Sequence, residues 1–294
     1  MWQANYVKDA LRSHYPQIEV EIIGVTTQAD ELLELSLATL GGKGAFVKEL
    51  EQALLLGEAD LAVHSMKDVT INLPDELRLS AILEREDPRD VLVSNKFGSI
   101  SELPGKSCIG TSSLRRTAQL RALHPHLDIK DIRGNVGTRL RKLDEGEFDG
   151  LILAAAGVNR LQLSARVSEY VNTDILLPAV GQGAMGIEIL SSNEQLQALL
   201  EPLSHTETEL CVRAERAINR RLGGDCHVPI AAYAQAKGKT LSIEALVARL
   251  DGSEILRAST TGLLNEAEQL GDELGRELLR MGAGEILAEL DDGS

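Results

Sequence analysis

Apolar and polar positions along this chain recur with two periods. Residues 3–14 repeat at three and four, with Val7, Ala10 and Leu11 on one face, which predicts an amphipathic helix at the very start of the chain. IEVEIIGV (18–25) alternates in steps of two and predicts a strand, and AFVKELEQALLLG (45–57) predicts a helix ending at Gly57. DLAVHS (60–65) and LRLSAIL (77–83) predict two further strands. After the mixed-charge segment EREDPRD (84–90) the pattern restarts with VLVS (91–94).

A second alternation follows. CIG (108–110), LDIKDI (127–132) and DGLILA (149–154) predict strands, separated by helical segments at 113–123 and 135–143. Strands alternating with helices of this length imply parallel sheets of βαβ units. Two such blocks meet near residues 84–90, and the strand MGIEIL (185–190) can cross back to the first. From Thr206 the pattern changes to a helix (207–221), three strands (228–235, 240–248, 254–260) and two closing helices (264–280, 283–290). The expected organisation is therefore a first α/β domain from 1–84 plus 184–203, a second α/β domain at 89–178, and a small α+β domain at 206–294.

Composition narrows the function. Aromatic residues are only 3% of 294, so the cores must be aliphatic. The net charge of -15 argues against a nucleic-acid partner, because duplex binding rests on phosphate neutralisation. A small anionic ligand needs only local cations and is not excluded. The three cysteines, Cys108, Cys211 and Cys226, are widely spaced and form no CxxC, which points away from a disulfide framework and from a bound metal. No apolar run approaches a membrane span and no signal peptide opens the chain, so a cytoplasmic protein is expected.

Three predicted helix starts share a cationic, glycine- or hydroxyl-rich lead-in. LGGKGAF (40–46) carries Lys43; GTSSLRR (110–116) carries Thr111, Ser112, Ser113, Arg115 and Arg116; RGNVGTR (133–139) carries Arg133 and Arg139. Helix N-termini favour anions, so arginine in a first turn opposes the dipole and calls for another partner. A bound carboxylate supplies one by bidentate pairing; ordinary capping and surface charge is the plainer account of any single loop. GGKG lacks the phosphate-loop spacing, and a ligand with several separate negative groups fits better than a nucleotide. In DLAVHSMKDV, Lys67 and Asp68 stand just past the carboxyl end of a strand, where open α/β sheets bind ligands. They form either a surface ion pair or a carboxylate placed to hold a developing cation. Cys226, at the tip of RLGGDCHVPI (221–230), is either a loop cysteine without a role or an exposed nucleophile.

AVHSMKDV, GGKGAFVKELE, EREDPRDV, GTSSLRR, RGNVGTRL, LPAVGQGAMGIE and GGDCHVPIAAYA all occur in this chain, and together they closely resemble the porphobilinogen deaminase (hydroxymethylbilane synthase) family, from Trp2 to about residue 290. The resemblance implies two periplasmic-binding-protein-like α/β domains around a cleft and a third domain bearing a cysteine loop. It implies that Cys226 holds a covalent dipyrromethane cofactor through a thioether. It also implies that porphobilinogen loses ammonia, that the resulting azafulvene is attacked by the growing chain, and that water releases hydroxymethylbilane after four additions. Asp68 would be the catalytic carboxylate, steadying positive charge and shuttling protons. Lys67, Ser113, Arg115 and Arg116 would bind the cofactor, and Lys43, Ser65, Thr111, Ser112, Arg133, Arg139 and Arg160 the substrate. A monomer, with no nucleic-acid or membrane partner, is expected.

The sequence departs from the family pattern at its start, where the family opens with a strand carrying an Arg-x-Ser pair that this chain lacks. TTQAD (26–30), Thr39 and His227 are smaller departures. The alternatives are a relative that binds pyrroles or other small carboxylates without turnover, and a non-enzymatic anion binder of the same two-lobed design. The latter leaves Cys226 without a task.

Overall fold

The computed structural model describes residues 1–25, 47–224 and 228–292. The chain opens with α1 (Trp2–His14), α2 (Lys48–Leu55), β1 (Leu61–Ser65) and β2 (Leu77–Ile82). It continues through β3 (Asp90–Val93), β4 (Cys108–Gly110), α3 (Leu114–Leu123), β5 (Asp128–Lys130), α4 (Val136–Asp144), β6 (Gly150–Ala154), α5 (Ala155–Arg160) and β7 (Glu169–Val171). β8 (Met185–Leu190) and α6 (Glu194–Leu200) precede the last section, formed by α7 (Thr206–Leu222), β9 (Ile230–Lys237), β10 (Thr240–Ala248), β11 (Ile255–Leu263), α8 (Ala267–Arg280) and α9 (Ala283–Asp292).

These strands form three sheets, ordered β1-β8-β2, β5-β4-β6-β3-β7 and β11-β10-β9. β8 does return to the first sheet, pairing Val63 with Ile187 on one side and Leu79 with Glu188 on the other. The expectation of wholly parallel sheets is corrected. β8 is antiparallel to both neighbours because it arrives from the second sheet instead of through a helix packed on its own. In the second sheet β4 is parallel to β5 and β6, whereas β3 runs antiparallel to β6 and β7. Val91, Leu92 and Val93 are fully buried, as a continuous apolar run predicts for an interior strand covered on both faces.

The strand expected at 18–25 is also corrected: the structure assigns no strand there. The step-of-two pattern survives in burial, with Ile18, Val20 and Ile22 half-buried and Glu19, Glu21 and Ile23 exposed. Among the described residues no strand pairs with this segment, and alternation without a hydrogen-bonding partner does not make a strand. Val7 and Leu11 of α1, on the one apolar face their spacing predicts, join the core cluster of Ile187 and Ile189 of β8.

The third sheet is covered by α7, whose Cys211, Ala214, Ile218 and Leu222 recur at helical spacing and pack with Ala232, Ile243 and Ala245. Among the described residues no helix is long and apolar enough to cross a membrane.

Candidate active site

β1 runs straight into one tight helical turn, Met66–Asp68. Met66 is 1% exposed and its N–H donates to the Ala184 carbonyl at 3.0 Å. Gly181, with φ of +70°, lies against it so closely that a Cβ there would fall 2.8 Å from the Met66 Cβ. With the methionine clamped inward, Lys67 is half-buried and Asp68 is exposed. Asp68 pulls the Lys67 ammonium toward higher pKa, but burial and the charges of Arg116 and Arg115 outweigh it and lower the Lys67 pKa. Lys67 therefore lies within electrostatic reach of both arginines, so the turn after β1 and the start of α3 are close together in the fold.

At the start of α3 the Ser113 side chain accepts from the Arg116 N–H, and the Ser113 N–H donates to Thr111 Oγ1 at 3.2 Å. This cap leaves Arg115 and Arg116 in the first turn, both buried. An internal partner accounts for them: Arg115 Nη1 lies 2.8 Å from Asp90 Oδ2, and Arg116 donates through Nε at 3.0 Å and Nη2 at 2.8 Å to Asp90 Oδ1. The partner that arginines in a first turn call for is thus supplied within the fold by Asp90, where the sequence reading offered a bound carboxylate. Gln182 joins the group, donating to Asp90 Oδ1 at 3.0 Å and to the Pro88 carbonyl at 2.6 Å. Burial opposes the Asp90 charge, but Arg115 and Arg116 win and hold its carboxyl well below the usual carboxylate range. One carboxylate against two guanidinium groups, with Lys67 beside them, leaves a surplus of positive charge. Arg115 Nε is buried and has no hydrogen-bond partner among the described residues.

The remaining residues expected at the site spread from this centre. Arg139 is half-buried, donates to the Gly134 carbonyl at 2.7 Å, and has its pKa lowered by burial and then by Arg116. Arg133 pairs with Asp131 at 2.9 Å. Arg160, last residue of α5, is half-buried and donates to the Gly183 carbonyl at 2.8 Å. Ser65 ends β1, Ser112 is half-buried, and Thr111 is 2% exposed, facing the helix cap. Lys43 and Cys226 lie outside the described residues. The stem of the cysteine loop is described up to Gly224: α7 ends at Gly223 in a left-handed conformation, and the Gly224 N–H donates to the Asn219 carbonyl at 3.1 Å. Cys211 packs in the core of the third sheet, and burial, then Glu215, push its thiol up to about 11.

Four residues around the site were not expected from sequence: Asp90, Gln182, Glu215 and Arg216. Glu215 and Arg216 are neighbours on α7; Glu215 holds Gly181, which packs on Met66, and Arg216 holds the segment just after Asp68. Buried Glu215 accepts from the Gly181 N–H at 2.7 Å and the Ala234 N–H at 2.9 Å, and pairs with Arg85 at 2.9 Å. Arg216 donates to the carbonyls of Val69, Thr70 and Ile71 at 3.3, 2.7 and 3.0 Å, and burial, then Arg220, lowers its pKa to about 10. The helix that precedes Cys226 in the chain thus holds the residues that follow Asp68 and, through Gly181, backs Met66. A sequence signal existed for Asp90, a carboxylate opening a strand whose other residues are all apolar.

Fold and site together define an α/β protein with a cation-rich site around one exposed acid, beside a helix that ends in a cysteine-bearing loop. Residues 1–198 match the family model described as porphobilinogen deaminase, dipyromethane cofactor binding domain, and residues 209–280 match its C-terminal domain. A porphobilinogen deaminase of Thiobacillus denitrificans is 52% identical over 290 residues, covering 99% of this chain and 95% of the relative. One from Chromobacterium violaceum is 52% identical over 288 residues, covering 98% and 93%. The chain belongs to the porphobilinogen deaminase family. Solved structures with a partial likeness include a nutrient-binding protein of Burkholderia cenocepacia bound to methionine, at TM-score 0.43 and 11% identity, covering 67% of this chain and 85% of that one.

Proposed function

We propose that this chain joins porphobilinogen units head to tail, ammonia leaving with each addition, and releases the linear tetrapyrrole hydroxymethylbilane by hydrolysis. The observation that carries the proposal is the surplus of positive charge gathered behind the Met66–Asp68 turn by Arg115, Arg116 and Lys67. Every pyrrole unit carries an acetate and a propionate, so a growing chain accumulates carboxylates and needs such a surface.

The same surface fits a dipyrromethane. The group presents carboxylates, and this site offers a cation excess and an unpartnered guanidinium nitrogen, Arg115 Nε. Lys67, Ser113, Arg115 and Arg116 would hold it, with Cys226 as its covalent anchor. When bound, it supplies the tethered pyrrole end onto which new units are added. Asp68, exposed at the tip of its turn, accepts pyrrole N–H groups. Its negative charge steadies the positive charge that grows on a substrate ring as the C–N bond breaks, and it carries the proton released when the new C–C bond forms. Arg133, Arg139 and Arg160, with Lys43, Ser65, Thr111 and Ser112, take the acetate and propionate groups of the incoming substrate. Domains at 1–84 plus 184–203, 89–178 and 206–294 frame this cleft, in a chain acting as a cytoplasmic monomer.

The test is direct. Purified protein should colour with Ehrlich reagent and exceed its sequence mass by one dipyrromethane, and Cys226→Ser should lose both signals. A wild-type protein of bare sequence mass that nevertheless makes tetrapyrrole would overturn the role of Cys226.

A further inference from the structure

Trp2 and Arg160 come from distant parts of the chain, yet the Arg160 guanidinium carbon lies 5.6 Å from the centre of the Trp2 ring. Trp2 opens α1, which packs on the first sheet, and Arg160 closes α5, which follows the second. The contact therefore bridges the two α/β units. Tyr6, one helical turn along α1, stacks on Trp2 with ring centres 5.3 Å apart and planes 18° apart.

Arg160, like Arg139, is a half-buried arginine held by a backbone carbonyl and not by an acid. Among the described residues it forms no ion pair with a carboxylate, and its one hydrogen bond goes to the Gly183 carbonyl. Burial lowers its pKa, with Glu86 and Tyr6 only partly offsetting the effect. An indole face is attractive to such a cation, because the ring quadrupole takes up charge without accepting any N–H. Stacking uses the guanidinium face, and carboxylate pairing uses its edge. Trp2 can thus fix the plane of Arg160 while leaving its remaining N–H donors free.

We propose that Trp2 is a positioning residue for the substrate: its ring holds the Arg160 guanidinium in the orientation that receives a porphobilinogen carboxylate. The proposal rests on the assignment of Arg160 to substrate binding. Trp2 does not itself touch the reacting atoms. It orders a long side chain in advance, so that less freedom is lost when the carboxylate arrives.

Trp2 is the only tryptophan in the sequence, so its emission reports on this contact directly. In the holoenzyme, adding porphobilinogen should shift or quench that emission, and Arg160→Gln should abolish the response. Trp2→Leu should raise KM for porphobilinogen by about 3–10-fold, with a smaller effect on kcat, as expected for loss of a cation–π contact. Trp2→Phe, which keeps a ring face, should recover most of that loss. In the Arg160→Gln background Trp2→Leu should add less than about twofold, because the two residues act as one unit. An equal penalty in both backgrounds, no penalty at all, or a Phe variant as poor as the Leu variant overturns the proposal. An Arg160→Gln enzyme with wild-type KM instead overturns the assignment of Arg160 to the substrate, a separate failure.

Discussion

Gly181 sits over Met66 with room for a hydrogen and nothing larger: a Cβ would lie 2.8 Å from the Met66 Cβ and 3.0 Å from its carbonyl carbon. The neighbour is backbone, which cannot swing aside, and the φ of +70° at Gly181 is itself unfavourable for any side chain. Gly181→Ala should destabilise the protein by about 1–3 kcal/mol in urea unfolding, the usual range for overpacking. It should also lower kcat, because the displaced residue is next but one to Asp68. Wild-type stability and rate would show that the clamp is dispensable.

Asp68 can be tested without that complication. It is exposed, and among the described residues no hydrogen bond or ion pair of its side chain supports the fold. Asp68→Asn should melt like wild type and lose on the order of 10²–10³ in rate, the scale for removing one preorganised electrostatic group. Single-turnover measurement of ammonia release checks this, and wild-type-like turnover would remove Asp68 from the mechanism.

Asp90 is the opposite case, fully buried between two guanidinium groups. Asp90→Asn leaves both cations without their counter-charge and should cost about 3–5 kcal/mol, the range for removing one partner of a buried pair. The folded-state pKa of Asp90 is depressed, so its contribution is present above the unfolded carboxylate value of about 4 and is lost as pH falls below it. The stability gap between wild type and Asp90→Asn in denaturant titrations should therefore narrow with acidification. A gap that stays constant through that range would assign the effect to packing alone.

Arg216 holds three carbonyls with one guanidinium, and a point charge cannot copy that fork. Arg216→Lys should lose about 1–3 kcal/mol of stability through carbonyls left unsatisfied in a buried place. Amide hydrogen exchange should rise first in the segment following Asp68. Exchange that rises only in α7 would place the role of Arg216 within its own helix.

Much of this protein was legible from the sequence alone. The strand CIG at 108–110, the helix from Leu114 to Leu123 and the return of MGIEIL to the first sheet follow from periodicity, because burial on one face imposes a repeat on the residues themselves. The motif segments likewise identified the family, since chemistry at a site demands particular residue types in local order. Strand direction was decided elsewhere: β8 is antiparallel because of where its chain comes from, which no local pattern encodes. Alternation at 18–25 did not suffice for a strand, because a ladder needs a second chain segment alongside. Only the tertiary structure paired Arg115 and Arg116 with Asp90, tied Arg216 to the carbonyls that follow Asp68 and laid Arg160 on Trp2. Each of these joins residues far apart in the chain, and electrostatics and packing act through space, whereas periodicity and motif act along the sequence.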